Sequence, residues 1–234
     1  MINVTVWNEN IHERELSEIK AVYPEGIHKQ IESFLIKNDD MNVRCVTLDD
    51  PDQGLGEDVL SSTDVLIYWA HCAHEKVSDE AVERVVNHIQ RGMGFIALHS
   101  AHFCKIMKRA LGTTMTLSWK DDDSERLFVT CPSHPIAKGV DNVIELPHEE
   151  LYGEYFDIPK PDDVVFMGWF KSGAVFRSGV TFTRGNGHIF YFQPGHEAYP
   201  IYYDKNIQKI IMNAVRWAAP INKLYENRDN IALE

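Results

Sequence analysis

Two short apolar runs on either side of an amphipathic helix constrain this chain more than any other feature. Residues 65–69 read VLIYW and residues 95–98 read FIAL, with no polar position to turn toward water. A strand apolar on both faces belongs in a sheet covered on both sides, as parallel sheets are. Between the runs, residues 78–90 place Val82, Val85, Val86 and Ile89 on one helical face. Ser78 stands as the N-cap, and Gly92 and Gly94 break the helix. Strand, helix and strand in succession predict an α/β fold with a mostly parallel central sheet.

The rest of the chain extends this pattern. Residues 2–7 alternate and are β-branched, which predicts a first strand ending at Asn8-Glu9-Asn10. Ile27, Ile31, Phe34 and Leu35 have helical spacing, residues 43–48 form a second strand, and Val59 and Leu60 mark a short helix. Further helices are expected over 105–111 and 206–217, and further strands over 127–130, 164–170, 174–182 and 188–192. The charge-dense stretch 134–155 reads as loop. Gly185-Asn186-Gly187 is a hairpin signal, so a later part of the sheet should be antiparallel. There are no internal repeats and no Pro/Gly/Ser-rich linker. The expectation is one domain over 1–220 and a polar tail over 221–234 that frays or meets a second copy in a homo-oligomer.

Composition narrows the partners. Hydrophobic content of 44% and charged content of 25% are ordinary for a globular protein. A net charge of −12, with no basic cluster, argues against nucleic acid. The four cysteines, Cys45, Cys72, Cys104 and Cys131, form no CxxC pair and read as free thiols. The opening MINVTVWNEN lacks the features of a signal peptide, and no apolar run is long enough for a membrane span. A cytoplasmic protein without a membrane partner is expected.

In open α/β sheets, ligands bind beyond the carboxyl ends of the strands. Asn8, Glu9, Asn10 and His12 follow the first strand, and His71 and His74 follow VLIYW. His99, Ser100 and His102 follow FIAL, and His196 and Glu197 follow HIFYF. Such a row predicts one shared polar pocket. Imidazoles from three strands, His71, His99 and His196, are candidate ligands for a divalent metal, zinc or manganese. The alternative is a metal-free site in which histidine is the general acid or base. No nucleotide cofactor is expected. Glu149, Glu150, Tyr152 and Glu154 form a second cluster, suited either to polyhydroxyl ligands or to an acidic solvated loop. An Arg177-Ser178-Gly179 turn would place a guanidinium at the same rim.

At ALHSAH, residues 97–102, the chain resembles the elbow of class I glutamine amidotransferases, with His99 where that family has its nucleophilic cysteine. FQPGHE, residues 192–197, is similar to that family's final His and Glu with shifted spacing. More closely, residues 4–220 resemble the trehalose-utilisation, ThuA-like family. The words that carry this are WNEN with His12-Glu13, YPEGIH, GMGFIALHS, HPIAKGV, EELYGEYFDIP, VFRSG and FYFQPGHEAYP. The resemblance implies a flavodoxin-like, amidotransferase-like three-layer αβα sandwich and a role in disaccharide utilisation. The small-molecule partner is then a carbohydrate.

Within that frame, His99, His196, Glu197 and Glu150 are the catalytic candidates. Asn8, Glu9, His12, His28, Ser100, Tyr152 and Arg177 are the substrate-binding candidates. Glutaminase activity is not expected, because His99 cannot form a thioester and neither Cys72 nor Cys104 sits at an elbow. Ser100 as nucleophile is disfavoured by the bulk of Leu98 and His102, where a G-x-S-x-G elbow has glycine. The leading expectation is an enzyme acting on a sugar or keto-sugar by hydrolysis, isomerisation or elimination. Its rival is a non-catalytic sugar-binding or regulatory protein on the same fold.

Overall fold

The computed structural model describes residues 1–220. The expected tail, 221–234, lies outside the described residues. The elements run β1 (Ile2–Asn8), α1 (His12–Glu15), α2 (Ser17–Val22), α3 (Ile27–Leu35), β2 (Met41–Thr47), α4 (Glu57–Leu60), β3 (Val65–Trp69), α5 (Asp79–Arg91) and β4 (Gly94–Leu98). They continue with α6 (Lys105–Leu111), β5 (Ser118–Val129), β6 (Val143–Gly153), β7 (Asp163–Phe170), β8 (Val175–Arg184), β9 (Gly187–Phe192) and α7 (Lys205–Ala218).

The nine strands of the described residues form one sheet in the order β2-β1-β3-β4-β9-β8-β7-β5-β6. From β2 to β9 the pairings are parallel, and from β9 to β6 they are antiparallel. The expectation of a mostly parallel sheet is therefore corrected: the sheet is mixed, and its latter half is antiparallel. The fully apolar runs belong to the parallel half, as predicted. The antiparallel strands are less apolar because they leave one face partly exposed.

In the parallel half every residue of β3 and β4 is buried. Because side chains alternate along a strand, Leu66, Tyr68, Phe95 and Ala97 pack with α5 and α6, while Ile67, Trp69, Ile96 and Leu98 pack with α3 and α7. Ser78 caps α5 as expected, its side chain accepting from the Ala81 N–H at 3.2 Å.

Two loop expectations are corrected. Residues 143–153 are a strand, β6, and its first half alternates, with Ile144 and Leu146 buried and Val143 and Glu145 exposed. Its second half carries buried carboxylates, which is why it reads as polar loop. Arg177-Ser178-Gly179 is not a turn but lies within β8. The hairpin at Gly185-Asn186 joins β8 to β9 as expected.

Strand register places the site. Asn8 lies opposite Trp69, Trp69 opposite Leu98, and Leu98 opposite Phe192. The carboxyl ends of β1, β3, β4 and β9 therefore form a level row, and the segments that follow them emerge side by side.

Candidate active site

His99 is the first residue after β4 and is fully buried. Its φ of 53° is in the left-handed region, which a non-glycine residue adopts at a cost of roughly 1–3 kcal/mol. The chain thus makes the sharp strand-end turn that the sequence resemblance implied, with an imidazole at its apex. His99 Nδ1 donates to the Gln193 carbonyl at 3.1 Å, which leaves Nε2 directed at Glu150, whose Oε2 is 3.1 Å away. The two atoms are close but not aligned for a hydrogen bond, and both are buried without a hydrogen-bond partner. Burial pulls the His99 pKa down, but Glu150, then Glu149 and Glu197, overcome this and raise it to about 9. The same contact acts in reverse on Glu150: burial raises its pKa, and His99 brings it below the usual carboxylate range.

His71 follows β3, and its Nδ1 lies 2.8 Å from Glu197 Oε1. The same carboxylate oxygen lies 2.7 Å from His12 Nδ1 at the start of α1. Burial works against ionisation of Glu197, but His71, His196 and His12 hold its pKa far below the ordinary range. A carboxylate behind a ring nitrogen fixes the tautomer and aims the other nitrogen outward.

His196 is held differently. Its Nδ1 accepts from the Ala198 N–H at 3.1 Å. Burial, followed by His99, lowers its pKa to about 4. At neutral pH the ring is uncharged, and with Nδ1 acting as acceptor the ring hydrogen sits on Nε2.

Glu149 organises the segment that carries His196. Its carboxylate accepts from the backbone N–H of Glu150 at 2.8 Å, of Gly195 at 2.7 Å and of His196 at 3.2 Å. Gly195 is required here: its φ is 140°, and a Cβ would lie 2.1 Å from Tyr202 Oη. Tyr152, two residues after Glu150, stacks on His99 with ring centroids 5.3 Å apart.

Of these groups, His71, Glu150, Tyr152 and His196 line a cavity of about 440 Å³, and the fully buried His99 lies behind them. His71, His74, His102, Glu150, Tyr152 and His196 form its inner wall, with Ser100 beside Tyr152. Its outer wall is Phe103, Thr116, Leu117, Trp119 and Asp121. Trp119 is 63% exposed, an apolar face presented to whatever enters. His71, His99, Glu150 and His196 each offer one ligand atom, all within 4.8 Å of one another, and His12, His71 and Glu197 form a second such group. Buried donors that crowd together without hydrogen bonds suit a divalent cation, so the residues fit the metal expected from the sequence.

Other sequence candidates meet partners inside the protein. Glu9 accepts from the Cys72 and Ala73 N–H groups at 2.8 and 3.0 Å and so anchors the loop that carries His71. Asn8 donates to Glu13 at 2.6 Å and meets His28 Nδ1 at 3.0 Å, behind the pocket. Arg177 forms a two-bond pair with Glu154, each bond 2.8 Å, away from the cavity lining. Sequence reasoning missed Gln193, Glu149 as an organiser of backbone, and the Thr116–Asp121 wall, which carries no motif.

A family model described as trehalose utilisation, ThuA, matches residues 3–218. This chain belongs to the ThuA family. Among solved structures, a ThuA-like protein of Parabacteroides merdae is 16% identical, with 95% of this chain and 92% of that chain covered at a TM-score of 0.67. A cytoplasmic protein of Salmonella typhimurium is 12% identical, covering 94% of this chain and 100% of that chain at a TM-score of 0.60. PurLQS of Thermotoga maritima is 14% identical, covering 92% and 98% at a TM-score of 0.55. These likenesses show a shared fold. No curated protein sequence matches the chain. Among the described residues of this ThuA-family chain, no helix is long and apolar enough to cross a membrane.

Proposed function

We propose that this ThuA-family protein is an enzyme acting on a keto-sugar derived from a disaccharide, at a site that holds a divalent metal. The observation that carries the reading is the state of His196. A neutral imidazole whose Nδ1 accepts a backbone N–H has its Nε2–H free to donate, and such a group polarises a carbonyl oxygen. Isomerisation or elimination next to a sugar ketone, and hydrolysis that runs through such an elimination, gather negative charge on that oxygen, and a fixed donor stabilises the charge as it develops.

His71, His99 and Glu150 would hold the metal, zinc or manganese. His71 Nδ1 faces Glu197 at 2.8 Å and His99 Nδ1 donates to the Gln193 carbonyl, which leaves Nε2 of each for the cation. When bound, the metal would supply a Lewis acid at the same carbonyl. Trp119 offers a flat apolar face against which a sugar ring can stack, and Asp121 and Ser100 are placed to bind hydroxyls. Glu9, His12 and Glu197 act behind this layer as supports.

The experiment is to load the purified protein with zinc or manganese and incubate it with trehalose and with its keto derivative. Turnover of the keto compound, and not of trehalose, is expected. Ligand-induced stabilisation without turnover under any metal condition would instead identify a sugar-binding protein, and neither effect would refute both.

A further inference from the structure

A hydrogen-bonded chain reaches His99 from the antiparallel half of the sheet, and it begins at a carboxyl group that lines no cavity. Glu125 of β5 is 1% exposed. Its Oε1 lies 2.8 Å from Ser178 Oγ on β8, and Ser178 Oγ lies 3.3 Å from Gln193 Oε1. Gln193 Nε2 donates to the Glu150 carbonyl at 3.0 Å, and the Gln193 carbonyl accepts from His99 Nδ1. Gly168 of β7 makes room, since a Cβ there would lie 2.1 Å from Glu125 Oε1 and 2.4 Å from Ser178 Oγ.

The hydrogen directions can be worked out from the pocket end. The Glu150 carbonyl only accepts, so the amide nitrogen of Gln193 must face it and the amide oxygen must face Ser178. That oxygen also only accepts, and Ser178 has one hydroxyl hydrogen to divide between it and Glu125. Only a protonated Glu125 satisfies both contacts, because it donates to Ser178 and leaves the Ser178 hydrogen for Gln193. Were Glu125 ionised, Ser178 would turn to it, and the fully buried Gln193 Oε1 would face a lone pair.

Two further observations agree. Glu125 Oε2 is buried with no hydrogen-bond partner, a poor place for half of a negative charge. Among the described residues, the charge that acts on Glu125 is that of Glu149 on β6, which is of like sign. Ser178 on β8 and Gln193 after β9 are uncharged, and Phe170 of β7 and Leu146 of β6 are its cross-strand partners. Glu149 is raised too, to about 7, but all three of its hydrogen-bond partners are N–H donors, which favour its ionised form, so Glu125 is the carboxyl that keeps its proton to the higher pH. Burial, then Glu149, raise the pKa of Glu125 to about 8, against a smaller opposite effect of Ser178.

We infer that Glu125 is a neutral carboxylic acid at physiological pH and a positioning residue of the active site. Through Ser178 and Gln193 it holds the His99 ring with its hydrogen on Nδ1 and keeps the Glu150 main chain in place. Its link to metal binding rests on the reading given under Proposed function. When pH rises far enough to ionise Glu125, the chain reverses at Ser178 and the grip on His99 loosens.

Two measurements on the full chain test this. Infrared difference spectra of metal-free protein, wild type against Glu125→Gln, should show a protonated carboxyl stretch in the wild type at neutral pH. That band should be missing in the variant and should vanish as pH rises through about 8. Loss of the His99 proton strengthens zinc binding in both proteins as pH rises, so zinc titration against a chromophoric chelator should show wild-type affinity falling behind that of Glu125→Gln over the same range. Glu125→Gln keeps a donor and cannot ionise, so it should bind zinc as wild type does at neutral pH and show no such lag. Ser178→Ala interrupts the chain with Glu125 intact and should weaken zinc about tenfold or more; it also serves as the second variant if Glu125→Gln does not fold. No acid band at neutral pH, or identical pH profiles for wild type and Glu125→Gln, would overturn the inference. A wild type that takes up no zinc refutes the metal reading instead, and the infrared band still decides the state of Glu125.

Discussion

At the scale of single side chains, the three pocket imidazoles His71, His99 and His196 divide by what stands behind them. His71 Nδ1 lies against the Glu197 carboxylate, His99 Nδ1 is bonded to a carbonyl, and His196 Nδ1 accepts a backbone N–H. The first pair are therefore expected to be ligands and the last a donor, and substitution separates the roles. His99→Ala should abolish stoichiometric zinc, measured by elemental analysis of protein prepared without chelator. Glu197→Gln should weaken zinc by about 10- to 100-fold, because it weakens the aim of His71. His196→Ala should keep its zinc and lose about 10²- to 10³-fold in kcat on the keto-sugar; loss of zinc instead would make His196 a ligand. The histidines were legible in the sequence because a position just after a buried strand is enough to place them at the pocket. Gln193, Ser178 and Glu125 were not, because each looks like an ordinary polar strand or loop residue until partners 15 and 53 residues away are known.

At the scale of elements, the parallel half followed the sequence closely because both-face burial and helical periodicity are local signals. The span expected for α6 matches its observed bounds, and Ser78 caps α5 as predicted. Ser78→Ala should cost about 1 kcal/mol, read by denaturant unfolding. The tightest backbone approach is at the start of β9, where a Cβ on Gly187 would lie 2.1 Å from the Ile89 carbonyl oxygen. Gly187→Ala has no flexible side chain to displace, so it should destabilise by about 1–3 kcal/mol or more. The antiparallel half was only partly legible. β6 was hidden because Glu149 and Glu150 are buried by contacts with the segment after β9, and no periodicity records a carboxylate that is satisfied by a distant loop.

At the scale of the whole molecule, the buried imidazoles set its response to acid. His28, His74 and His196 each have a pKa lowered to about 4, chiefly by burial. A base whose folded pKa lies below its ordinary value of 6.5 binds protons more readily when unfolded. Its contribution is therefore intact above that value and is lost as pH falls from there to about 4. The buried carboxyls Glu125 and Glu149, raised to about 8 and about 7, act in the opposite sense as pH falls. Melting temperature should still drop between neutral pH and pH 4, by about 2–4 °C for each kcal/mol lost. His28→Gln should flatten part of that drop, and a His28→Gln profile as steep as that of wild type would show that this ring is not buried as described.

The position of β9 between β4 and β8 has a consequence for biosynthesis. β4 ends at Leu98 and its parallel neighbour β9 begins at Gly187, with β5 to β8 in the intervening chain. As the polypeptide leaves the ribosome, His71 and His99 emerge well before His196 and Glu197, and until β9 inserts, the two halves of the sheet have no common strand. Pairings between such distant segments form slowly. A nascent chain arrested before β9 would expose the apolar edge of β4, with neither the bound carboxylate behind His71 nor the carbonyl behind His99. If the site holds a metal as proposed, uptake depends on synthesis of β9, and a ribosome-bound fragment ending before residue 187 should take up no zinc, while one with residues 1–220 clear of the exit tunnel should.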